Sequence, residues 1–245
     1  MVDFEISSLL LGLVAALFVG LTKTGVPGLG ILIVPLMAML FPAKQSVGAL
    51  LLMLIVGDMF AVTYYRKYTQ WDRLWGLFPA VAVGIAAGAL TLSRIDSATL
   101  KPMLGGLVLG MLALELLRQR FGLTEVPHKW WFVLSAGFLA GFTTTVGNLA
   151  GPIMSIYLIS KGMPKHQFMG TAAVFFCIVN LVKVPVFANL GMITADTIRF
   201  DIMAIPGIVL GAIAGKWVLP RIPQKVFNAT VLILAAVAAA RLIVG

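Results

Sequence analysis

Two short stretches hold most of the polar side chains that interrupt the apolar sequence of this chain. The first, Gly20-Leu-Thr-Lys-Thr-Gly-Val-Pro-Gly-Leu-Gly30, presents the hydroxyls of Thr22 and Thr24 and the ammonium of Lys23. The second, Gly141-Phe-Thr-Thr-Thr-Val-Gly-Asn-Leu-Ala-Gly151-Pro152, presents Thr143, Thr144, Thr145 and the amide of Asn148. Hydroxyl, amide and ammonium donors on glycine-loosened backbone can hold an anion, but they lack the nucleophile and base that bond-breaking chemistry needs. Lys23 weighs most, because a lysine deep in a bilayer costs about 2.5–3.5 kcal/mol on insertion scales and usually marks a pathway. Its plainer alternative is a helix-end lysine snorkelling to the surface. A deep position favours the first reading.

Other ionisable residues admit two readings each. Asp58, in Leu54-Ile-Val-Gly-Asp-Met-Phe60, stands in the middle of an apolar run. It can pair with Lys23 or Lys183, or carry a proton or ion during transport, and a structural and a coupling role weigh equally. Lys183 lies three residues after Asn180 and two before Pro185, so it is either a second anion ligand and coupling group or, by preference, a snorkelling residue. Glu115 stands one turn before Arg118 and Gln119, the spacing of a local salt bridge. His128 and His166 are far apart and show no metal-ligand pattern, and neither a metal nor a cofactor is expected. Trp71, Trp75, Trp130 and Trp131 flank apolar runs, as interfacial anchors do. The single cysteine, Cys177, excludes an intramolecular disulfide framework and reads as helix packing.

The elements that must position these groups are membrane helices. Sixty per cent hydrophobic residues, 11% charged residues and a mean hydropathy of +1.04 are incompatible with a soluble domain. The net charge of +9 comes from basic residues scattered singly through short loops, which argues against a nucleic-acid partner. Asp3 and Glu5 precede the first apolar run where a secretory signal would be basic, so the first helix reads as retained. Apolar runs fall at about 6–21, 29–41, 47–65, 74–92, 102–117, 130–142, 151–160, 167–188, 201–219 and 226–244. The runs 29–41 and 151–160 are shorter than the ~20 residues a span requires, and both follow a polar stretch.

The two halves also resemble each other. Gly20, Thr22 and Thr24 match Gly141, Thr143 and Thr145 at one offset, and Pro79, Gly84 and Gly88 match Pro206, Gly211 and Gly215 with the same internal spacing. The expected fold is therefore an all-α polytopic membrane protein of two inverted-topology repeats, residues 1–120 and 121–245. Each repeat is a broken-helix hairpin followed by three transmembrane helices. If each hairpin enters and leaves by one side, eleven basic residues gather on one face, among them Arg66, Lys67, Arg73, Lys161 and Lys165. Five, Lys44, Arg94, Lys101, Arg199 and Arg241, gather on the other. That bias puts the first group in the cytoplasm and both termini outside it. Treating each broken segment as one crossing removes the bias. The return limbs would then start at tips inside the membrane and offer the positive ends of their dipoles to an anion.

The paired breaks, with Gly28, Gly30 and Pro35 after the first and Gly151-Pro152 in the second, resemble those of the TauE/SafE sulfite-exporter family over nearly the whole chain. The resemblance implies a secondary transporter of the bacterial inner membrane for a small sulfur-containing or organic anion such as sulfite, sulfoacetate or a related sulfonate. It carries substrate binding onto Thr22, Lys23, Thr24, Thr144, Thr145 and Asn148. The expected partners are that anion and the lipid bilayer, and homo-oligomers are compatible with the sequence. The expected mechanism is alternating access, with proton coupling through Asp58 or Lys183 as an option. A passive anion channel is the alternative, and a membrane-embedded enzyme is less favoured.

Overall fold

A computed structural model describes residues 6–24, 30–121, 130–217 and 224–244. The tip at 25–29, with Gly28, the join at 122–129, with His128 and Lys129, and Arg221 lie outside the described residues. So do Asp3 and Glu5. The described chain is helical, with no strand among its residues. Its helices are α1 Ile6–Thr24, α2 Gly30–Leu40, α3 Ala43–Tyr65, α4 Trp71–Trp75, α5 Phe78–Arg94, α6 Ser97–Phe121, α7 Trp130–Gly147, α8 Gly151–Ser160, α9 Lys165–Asn189, α10 Ala195–Trp217 and α11 Gln224–Val244. Five stretches among the described residues are long and apolar enough to cross a membrane: Ala43–Tyr68, Ser97–Phe121, Trp130–Gly147, Lys165–Asn189 and Ala195–Gly215. A helix satisfies its own backbone polar groups, which is why apolar runs of this length take that form in lipid.

The breaks are narrower than the sequence pattern suggests. The apolar runs end at residues 21 and 142, yet α1 continues through Thr22-Lys23-Thr24 and α7 through the three threonines to Gly147. The hydroxyls explain the continuation. Thr22 donates to Phe18 O, Thr24 to Gly20 O, Thr143 to Leu139 O and Thr145 to Gly141 O, so each threonine bonds the carbonyl one turn back and stays helical. The second break is confined to residues 148–150. Asn148 takes φ 57°, a left-handed conformation that asparagine tolerates better than most residues, and Leu149 N–H donates to Thr143 O as the chain turns. Gly151 and Pro152 then open α8, where proline gives up no needed N–H.

Glycines set which helices meet. α1 packs along α10, and α5 along α7. A Cβ at Gly20 would strike Ile208 O and Ala212 N, and one at Gly211 would strike Leu17 O. On the other pair, a Cβ at Gly84 would strike Phe138 O, and one at Gly141 would strike Val81 O. One turn further on, Gly215 faces Thr24 Oγ1 and Gly88 faces the Thr145 side chain. The matched glycines thus bring each outgoing limb, α1 or α7, against the helix carrying the glycine pair of the other half. Backbones this close gain contact area that lipid alone would not provide.

α3 and α9 pack together and run in opposite directions. Gly48, near the start of α3, meets the backbone of Met192 beyond the end of α9, while Gly170, near the start of α9, meets Tyr65 and Tyr68 at the end of α3. α6 and α11 pair outside this centre. The four tryptophans placed at helix ends are all exposed, as interfacial anchors would be. Glu115 accepts hydrogen bonds from both Arg118 and Gln119, the local arrangement their spacing predicts.

Candidate functional site

The outgoing limbs are about 28 Å long, whereas the return limbs α2 and α8 reach only about 16 Å. Where the return limbs begin, a cavity of about 100 Å³ opens, room for a small solute rather than a single water. Gly30 and Ile31 of α2 and Gly151 and Pro152 of α8 form parts of its wall. Among the described residues, a Cβ at Gly151 would meet nothing within 4 Å, and one at Gly30 would touch only Thr22 Cγ2 at 3.9 Å. Both helix starts therefore border the cavity, and first-turn N–H groups of a helix have no intrahelical acceptor.

One wall of the cavity is an ion pair. Lys23 Nζ lies 2.6 Å from Asp58 Oδ1, the carboxylate fully buried and the lysine side chain 10% exposed. Asn180 Nδ2 donates to the other oxygen, Asp58 Oδ2, at 2.7 Å. Gly57 makes this geometry possible, since a Cβ there would lie 2.9 Å from Lys23 Cγ. The lysine stem crosses α3 through that gap, and its ammonium sits 4.9 Å from the centre of the Phe176 ring. Asn180 uses its amide nitrogen on Asp58, and its carbonyl oxygen has no donor among the described residues.

Thr144 and Asn148, also on the cavity wall, are held from behind by Lys183. It is completely buried and donates to Thr144 O at 2.9 Å, Thr144 Oγ1 at 3.0 Å and Asn148 Oδ1 at 2.6 Å. It therefore neither snorkels nor lines the cavity, contrary to the reading preferred from its place near Pro185. A fully buried ammonium must find acceptors in protein, and the carbonyl end of α7 supplies them. Asn148 returns the constraint by donating Nδ2 to Val47 O at 3.0 Å, so its side chain ties α7 to α3. Thr144, which also lines the cavity, accepts from Lys183 through both its carbonyl and its hydroxyl oxygen.

The sulfite exporter TauE/SafE family matches residues 9–242, nearly the entire chain. The chain belongs to that family. No curated protein and no solved structure gives a significant match. TauE/SafE proteins form a transporter family rather than an enzyme family, and the apolar helices place this member in a membrane.

In this TauE/SafE protein the six residues expected to bind substrate separate into two groups. Thr22, Lys23, Thr144 and Asn148 line the cavity together with Asp58 and Asn180. Thr24 and Thr145 do not. Thr24 donates to Ala212 O on α10 at 2.8 Å, and fully buried Thr145 turns its Cβ and Cγ2 to Gly88 while its hydroxyl bonds back to Gly141 O, so both side chains serve the helix crossings. Within the first group, Thr22 spends its hydrogen on Phe18 O, and Asn148 spends both ends of its amide on Lys183 and Val47. The polar groups that remain on the cavity wall are the Lys23 ammonium, the Thr144 hydroxyl and the helix starts. Sequence reasoning passed over Ser155, which lines the cavity one turn after Gly151; the four-residue spacing from the break was its signal. It also passed over Asp201, buried on α10 with no hydrogen-bond partner among the described residues. His166 stacks on Tyr68 at 5.2 Å, and no metal-binding group occurs among the described residues.

Proposed function

We propose that this protein is a secondary transporter that moves a small sulfur-containing or organic anion, such as sulfite, sulfoacetate or a related sulfonate, by alternating access. The observation that carries the reading is the meeting, in one cavity, of the Lys23 ammonium with the starts of α2 and α8. A cation, a threonine hydroxyl and two positive helix ends border the space, and negative charge is what such a set stabilises. Lys23 and Thr144 contact the anion directly; Asn148 and Lys183 hold that wall in place. Family membership supports the same conclusion, since the family takes its description from sulfite export.

Two inverted repeats, 1–120 and 121–245, give the motion a basis. Support comes from the antiparallel pairing of α3 with α9 and from the matched glycine crossings of α1 on α10 and α7 on α5. Repeats related in this way carry one site at their interface and expose it to either side as one unit rocks against the other. The membrane is the bacterial inner membrane, with both termini outside the cytoplasm.

Sulfite and sulfoacetate uptake into proteoliposomes, with Lys23→Ala beside the wild type, tests the reading. Saturable wild-type flux that falls at least about tenfold in the variant is expected, the scale of losing one charge-assisted contact. Undiminished flux in Lys23→Ala would remove the ammonium from the site. Flux that never saturates would favour a passive pore.

A further inference from the structure

The cavity changes chemistry along its length. Its charged and amide side chains gather where Lys23, Asp58 and Asn180 meet, with Thr144 and Asn148 also lining it. From Asn180, α9 continues the lining through Phe176, Ala172 and Phe168, each four residues before the last, so one broad face of the helix follows the space for about 18 Å. α3 adds Ala61, one turn beyond Asp58, and α8 adds Leu158, two turns beyond Gly151. Three contacts put these residues on one side of the ion pair: Gly170 meets Tyr65, the Gln70 N–H donates to Thr171 Oγ1, and Tyr157, beside Leu158, donates to Arg73 O.

This arm of the cavity is apolar. Among the described residues, Lys23 and Asp58 are the ionisable members of the wall, both at the other end, and Ser155, one turn past Gly151, is the polar side chain that α8 contributes. Helices in a membrane hold together by close contact, and an opening over methyl, methylene and ring carbons forfeits that contact. A hydrocarbon tail restores it. Water, offered neither donor nor acceptor by those carbons, does not. The polar end supplies the complement, a cation and two positive helix ends that fix where a negative group goes. Sites for small organic molecules combine the same two parts, a mostly apolar wall and a few polar groups that set orientation.

We infer that the arm is a tail site, and that the solute fitting the whole cavity is a sulfonate with a short unbranched alkyl chain. Its charged group lies at Lys23 and its carbons run along Phe176, Ala172 and Phe168. The inference rests on the anion-transport reading and narrows it. Sulfite, with no carbon, uses the polar end alone, so the arm adds affinity for alkyl sulfonates rather than excluding smaller anions.

The test is competition against sulfite uptake in proteoliposomes, using methane-, ethane- and propanesulfonate, which share one charged group and differ in tail length. Apparent affinity is expected to rise about threefold with each added carbon, the scale of burying one methylene. Ala172→Leu, which fills the arm, is expected to flatten that rise. The wild-type series decides the matter even where Ala172→Leu does not fold; folding of the variant is checked by its melting in detergent. Affinity that stays level or falls as the tail grows, or a rise unchanged in folded Ala172→Leu, overturns the tail site while leaving anion transport standing. Absence of uptake of both sulfite and labelled propanesulfonate by folded wild-type protein sinks the transport reading and this inference with it.

Discussion

Asp58 shows how differently one residue reads in sequence and in space. The sequence presents a carboxylate in an apolar run with two lysines as possible partners; the fold pairs it with Lys23 and gives its second oxygen to Asn180. Breaking a buried pair from one side leaves a stranded charge, a loss of about 3–5 kcal/mol, whereas removing both partners is far milder. Asp58→Ala should accordingly lower the melting temperature in detergent sharply, and adding Lys23→Ala should restore part of the loss. A double variant no more stable than Asp58→Ala would show that the pair is not energetically coupled. Lys183 makes a second case. Lys183→Met strands Thr144 O and Asn148 Oδ1 at about 1–3 kcal/mol each, so lower melting and easier proteolysis within the second half are expected. Unchanged melting would mean that water or a neighbouring donor takes over the cap. What pattern could not reveal was that Lys183 would be fully buried, because the acceptors that allow it lie 35 and 39 residues away, at the end of α7 and just past it.

At the scale of elements, the matched glycines were legible as packing positions but their partners were not. Four-residue spacing predicts close contact on one helix face, yet nothing local says that Gly84 meets α7 and Gly211 meets α1. The same shortfall explains why the threonine-rich stretches read as loops. Polar residues after an apolar run suggest a break, but back-bonded threonines at 22, 24, 143 and 145 carry α1 and α7 on, and at the second turn the irregular part shrinks to residues 148–150. Substitution separates the glycine roles. Gly84→Ala and Gly211→Ala force a Cβ into facing backbone and should each cost about 1–3 kcal/mol. Gly106→Ala and Gly110→Ala on α6 meet nothing within 4 Å among the described residues and should stay within about 0.5 kcal/mol of the parent. Thermal unfolding of the four variants in one detergent decides it, and equal effects across the two pairs would contradict the crossing geometry.

On the scale of the whole molecule, the loops sort into two sets by contact, independently of the charge count that first grouped them. Phe41 packs edge-on against Phe200 at 5.1 Å, the Lys44 N–H donates to Ser97 Oγ, and Gly48 meets Met192, so the loops near Lys44, Arg94 and Arg199 share one end. At the other end Tyr157 donates to Arg73 O, Thr69 donates to Gly170 O, and Tyr68 stacks on His166. Positive charge is concentrated there: burial, and then the nearby charge of Arg73, push the Lys161 ammonium below its usual range. α3 runs the full distance between these ends, about 34 Å. A membrane whose insertion follows basic residues should place the Arg73–Lys161 end in the cytoplasm. Single cysteines in a Cys177→Ala background test this with a membrane-impermeant maleimide, using four exposed positions. Arg94→Cys and Arg199→Cys should label in intact cells, and Lys67→Cys and Lys165→Cys only after permeabilisation. The reverse pattern would invert the orientation and leave the fold untouched, because the contacts fix which loops are neighbours and only the charge bias says which side they face.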